Sequence, residues 1–99
     1  MLNIEKKAEG SNLEIALSGR LDTTTAPDLE NEVKGNIDGV ENLVFNLENL
    51  DYISSAGLRV LLSTQKIMNK QGSMVVKNCA EEIMEIFEVT GFSDILTIE

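Results

Sequence analysis

The sequence has no histidine and no tryptophan, and only one cysteine and one proline, in 99 residues. Without histidine there can be no Ser-His or Cys-His nucleophile pair, no histidine-ligated zinc, and no side chain whose unperturbed pKa lies near neutrality. Most familiar enzyme chemistry goes with it, so the chain is expected to be a non-enzyme with no catalytic residue, cofactor or metal. Cys79 alone cannot form an internal disulfide, which suits a reducing compartment. Apolar runs stop at three residues, as in Val60-Leu61-Leu62, and no basic segment at the start leads into an apolar stretch. Neither a membrane span nor a signal peptide is therefore expected, and the expected location is cytoplasmic.

Basic side chains are also scarce, with 8 Lys and Arg against 17 Asp and Glu and a formal charge of -9. That balance disfavours nucleic acid and anionic membranes, whose phosphates would be repelled over a Debye length of roughly 8 Å. The charge is unevenly spread: residues 52–80 hold 4 basic and no acidic side chains, while residues 81–99 hold 6 acidic and none basic. The basic block reads as a solvated face, or as the segment where an added negative group is best tolerated.

The remainder suits one compact domain over residues 1–99, since 42% hydrophobic residues can fill a single core at this length. Residues 1–7 and 12–17 alternate as two strands, with Leu13, Ile15 and Leu17 on one face and Gly10-Ser11 as the turn of a hairpin. Thr25-Ala26-Pro27-Asp28 offers a capping hydroxyl, a first-turn proline and an acid three residues after the cap, and so opens a helix. Leu29, Val33 and Ile37 continue it, with Gly35 or Gly39 near its stop.

Residues 43–47, Leu-Val-Phe-Asn-Leu, are nearly continuous in apolar character and suggest a central strand covered on both faces by helices. A second helix is expected over about 56–70, its Leu58, Leu61, Leu62 and Met68 on one side and Arg59, Ser63, Lys66 and Lys70 mostly away from it. Gly72 ends it, and Met74-Val75-Val76 forms another strand. Asn78, with Glu81 three residues on, opens a third helix that turns Ile83, Ile86 and Phe87 to the core and closes at a left-handed Gly91. The tail Ile95–Ile98 is expected to add a last edge strand. Strand-helix-strand units on short turns imply right-handed crossovers, hence an α/β fold with a mixed sheet, antiparallel at its start and parallel thereafter.

Asp51-Tyr52-Ile53-Ser54-Ser55-Ala56-Gly57-Leu58 is the most informative stretch, because it leads from a buried strand into the first turn of an apolar helix. The first N–H groups of a helix lack internal acceptors, and the macrodipole puts about half a positive charge there. A phosphate on Ser54 or Ser55 would bring about -1.5 to -2 charges to that point and alter any partner docked on the turn. Gly57 leaves room for another chain to approach. The same serines also read as an ordinary helix cap. A nucleotide-binding turn over Ser54–Gly57 is the competing reading, although no G-x-x-x-x-G-K-[ST] is present. Cys79 reads as a small buried hydrophobe and Glu81-Glu82 as a first helical turn that complements the helix dipole.

The series Gly19-Arg20-Leu21-Asp22, Ala26, Leu43–Leu47 and Tyr52–Leu58, followed by Phe87–Phe92, resembles the bacterial anti-sigma factor antagonists, stand-alone members of the STAS domain superfamily. The resemblance spans nearly the whole chain. It implies helices packed mostly on one side of the sheet and regulation by partner switching, with transcription as the outcome. Unmodified, such a domain binds an anti-sigma factor serine kinase and frees the sigma factor. Phosphorylated at the position matching Ser55, it is released, and a phosphoserine phosphatase would reset it. The resemblance places Asp22 near the acceptor and the partner surface, although Asp22 reads equally as a turn residue at the start of the first helix; with Ser54, Ala56, Gly57 and Arg59 it makes up the expected partner-binding residues. Many relatives carry Asp directly before the acceptor, where this chain has Ser54. An adaptor role in a larger signalling or transport assembly is compatible with the same fold.

Overall fold

The computed structural model describes residues 2–99. Four strands, β1 (Leu2–Glu9), β2 (Asn12–Leu21), β3 (Asn42–Ile53) and β4 (Ser73–Lys77), form one sheet in the order β1-β2-β3-β4. β1 and β2 are antiparallel, while β2, β3 and β4 run parallel. Three helices, α1 (Ala26–Asn36), α2 (Ser55–Gln71) and α3 (Glu81–Thr90), supply the crossovers and the closing cover.

Leu13, Ile15 and Leu17 of β2, Leu43, Phe45 and Leu47 of β3, and Met74 and Val76 of β4 point into one core shared with the helices. Phe45 and Phe87 are fully enclosed there, each burial stabilising the fold by about 1.5–3 kcal/mol. The expectation that residues 43–47 are covered on both faces is overturned. Buried and half-buried residues alternate along β3, and the opposite face of the sheet is an open trough lined by Lys7, Glu14, Val44 and Lys77. Val44 gave the segment its continuous apolar look although it points away from the helices.

Both central strands run further than their alternation predicts. β2 continues through Leu21 and β3 through Ile53, with register irregularities between Ala16 and Ser18 and between Gly19 and Arg20. These irregularities break the period of two, so Leu50 and Ile53 are both buried although three residues apart.

Helix ends follow the sequence unevenly. Thr25 is the N-cap of α1 but makes no capping bond through its side chain. Gly35 lies inside α1, and Gly39, in the left-handed region, belongs to the following turn. Gly72 ends α2 as expected, for reasons of space: a Cβ there would meet the Glu41 carbonyl oxygen at 1.8 Å. Asn78 does not cap α3, whose N-cap is Ala80. It takes a left-handed turn instead (φ 59°), and its amide donates to Asn46 Oδ1 at 3.2 Å. Asn tolerates that backbone better than most residues, which overrides the capping pattern. Gly91 closes α3 in the left-handed conformation. The tail makes one turn of 3-10 helix, Phe92–Asp94, and a single bridge from Ile98 to Val76 rather than a full strand.

Candidate functional site

Because β2 and β3 are parallel, their carboxyl ends and the two turns that follow lie side by side, the usual location for binding in such sheets. Arg20 pairs with Tyr52 and Leu21 with Ile53, and the Ser54 N–H donates to the Leu21 carbonyl at 2.9 Å. That last bond ties the turn before α2 to the end of β2.

The turn before α1 is braced by its own side chains. Asp22 Oδ1 accepts the Thr24 hydroxyl at 2.7 Å, the Thr24 N–H at 3.0 Å and the Thr25 N–H at 3.2 Å. These bonds, the Thr24 hydroxyl foremost, hold the Asp22 carboxyl below its ordinary pKa against the opposing effect of desolvation. The Thr25 hydroxyl donates back to the Arg20 carbonyl at 2.9 Å and accepts the Asp22 N–H at 2.8 Å. This replaces the forward cap expected of Thr25. Asp22 Oδ2 lies 3.9 Å from Arg20 Nε, and the Arg20 guanidinium carbon stands 4.4 Å from the centre of the Tyr52 ring. No role was read for Arg20 or Tyr52 in the sequence, although both lie in the quoted motifs. Their pairing depends on the β2–β3 register.

The turn before α2 is built differently. Ser54 is its N-cap, in an extended conformation, and accepts the Gly57 N–H at 3.4 Å. Ser55 is the first residue of α2, and its side chain is exposed rather than sealed in the core. No acidic residue stands in the first turn of α2. Ala56 is half-buried and Arg59 exposed. Gly57 corrects an expectation: it is buried, and a Cβ there would lie 2.6 Å from Leu21 Cγ and 2.9 Å from Ile53 Cγ1. The room it leaves is filled by this chain's own strands, so Gly57 seats α2 instead of meeting another chain.

A groove between the starts of α1 and α2, of about 180 Å³, is walled by Thr23 and Pro27 on one side and Ala56, Arg59 and Val60 on the other. It thus adjoins both turns. Cys79 lies outside it, half-buried, and burial pushes its thiol pKa up, away from reactive thiolate. No helix among the described residues is long and apolar enough to cross a membrane.

Fold and turn define the class. The STAS domain family model matches residues 3–99, and the chain belongs to that family. An anti-sigma-B factor antagonist from Staphylococcus aureus is 31% identical over 99 residues, covering 98% of this chain and 92% of that protein. The crystal structure of an anti-sigma factor antagonist from Mycobacterium paratuberculosis shares the fold with a TM-score of 0.90 at 21% identity, covering 99% of this chain and 85% of that one. The Bacillus cell fate determinant SpoIIAA in its phosphorylated form shares it with a TM-score of 0.75 at 18% identity, covering 100% and 91%.

Proposed function

We propose that this protein is an anti-sigma factor antagonist, a non-enzymatic cytoplasmic switch that binds an anti-sigma factor serine kinase and is released on phosphorylation of Ser55. The observation that carries the reading is the exposed Ser55 at the first position of α2, beside the Ser54 cap and the turn containing Asp22. The name of the Staphylococcus aureus relative and the phosphorylated form of SpoIIAA support it. In the transfer the Ser55 oxygen attacks the γ-phosphorus of ATP held by the kinase. The bond to the β-phosphate oxygen breaks, ADP leaves, and the hydroxyl proton passes to the kinase.

Asp22, Ser54, Ala56 and Arg59 form the partner surface around the acceptor. Gly57 contributes by letting α2 start tight against Leu21 and Ile53. A phosphate placed in such an interface brings a desolvated charge that costs several kcal/mol, enough to weaken binding about a hundredfold or more. A phosphoserine phosphatase then restores the binding form. Incubation with the kinase and ATP, followed by mass-spectrometric mapping, tests the assignment. Incorporation is expected to persist in Ser54→Ala and vanish in Ser55→Ala; incorporation undiminished in Ser55→Ala overturns it.

A further inference from the structure

Given the reading of Ser55 as the acceptor, the surface of α2 indicates what receives the phosphate once it is attached. Arg59 lies four residues beyond Ser55 on α2, so the two occupy neighbouring positions on one helix face, with Cβ atoms about 5–6 Å apart. Both side chains are exposed. Arg20, Lys6, Lys34 and Lys77 each have a carboxylate oxygen within 4.0 Å; Arg59, like Lys7, Lys66 and Lys70, makes no ion pair among the described residues, and of these four it alone lies one helical turn from Ser55 in α2. Asp51 near the end of β3 and Asp28 in the first turn of α1 make no ion pair among the described residues, while two other charged groups at this corner are engaged. Glu30 of α1, across the groove from Arg59, is 3.2 Å from Lys34, and Arg20 at the end of β2 lies between Asp22 and Tyr52.

We propose that Arg59 is the internal binding partner of phosphorylated Ser55, its guanidinium closing on the phosphate across one turn of α2. An arginine fork matches phosphate oxygens with two parallel hydrogen bonds, and a modification that creates such a pair orders the side chains it joins. The consequence reaches past the acceptor. In the unmodified chain Arg59 lines the mouth of the groove between α1 and α2. Phosphorylation adds negative charge there and at the same time withdraws the cation from the groove, so the partner loses a positive contact as well as gaining a negative one.

The test uses the full chain with phosphoserine installed at position 55 during translation, which removes the kinase from the experiment. The phosphate is titrated by phosphorus NMR in the natural sequence and in Arg59→Gln and Arg59→Lys. The second phosphate pKa, about 6 when free, is expected to lie about half a unit lower with Arg59 than with Gln at low salt. Lys is expected to retain part of the shift, and the difference to close in about 1 M salt. Equal values for the natural sequence and Arg59→Gln overturn the proposal. Thermal melting of the unphosphorylated variants, expected to match the natural sequence because Arg59 is exposed and unpaired, verifies that the fold is intact. Failure here leaves the mapping of Ser55 untouched, because that experiment reads the site of transfer and this one reads only what the attached phosphate touches.

Discussion

Two strand-to-helix turns sit next to each other at the same end of the sheet, and they are built to opposite specifications. The turn before α1 spends its polar groups on itself: Asp22, Thr24 and Thr25 satisfy one another and the Arg20 carbonyl. The turn before α2 uses one serine as a cap and presents the next, Ser55, to solvent at a helix start with no acid in its first turn. The first turn behaves as a brace and the second as a place where charge can be added. Their connection through the Ser54 N–H and the Leu21 carbonyl keeps the second turn in position.

The contrast can be broken by substitution. Gly57→Ala is expected to destabilise most, by about 1–3 kcal/mol in urea unfolding, because its Cβ meets Leu21 and Ile53 inside an enclosed core. Thr25→Ala in the brace is expected to cost about 1–2 kcal/mol in the same assay, since a buried hydroxyl that both donates and accepts is lost. Ser54→Ala loses only the long bond to Gly57 and is expected to cost about 0.5–1 kcal/mol.

The brace also carries a pH signature. Asp22 has a folded pKa below its ordinary value of 3.8, so its contribution is present above that value and is lost as pH falls through the folded pKa. Melting temperature is therefore expected to fall on the acid side with a weaker slope in Asp22→Asn than in the natural sequence; an unchanged slope removes Asp22 from the brace. At the small end, Ser55→Ala is expected to leave stability within about 0.5 kcal/mol, because its side chain is exposed.

The element order and the α2 start were legible because they follow from local chemistry. Alternating Leu13, Ile15 and Leu17 specify a strand, and Ser54 followed by a leucine-rich helical period specifies a capped start. What escaped the sequence depends on contacts between distant segments. The Arg20–Tyr52 stacking exists only through the parallel register of β2 and β3. Thr25 turned backward because the Arg20 carbonyl was within its reach. Gly57 looked like room for another chain, but Leu21 and Ile53 of this chain are packed against it. Val44 made β3 look covered on both faces, although nothing in its own neighbourhood tells a helix-covered face from a half-exposed one.

The central claim is that charge at Ser55 decides whether the kinase can occupy this corner. Calorimetric titration of the anti-sigma factor serine kinase with the unmodified chain, and with the chain carrying phosphoserine at position 55, tests it most directly. A loss of affinity of about a hundredfold or more on modification is the predicted result, and equal affinity for the two forms would contradict it.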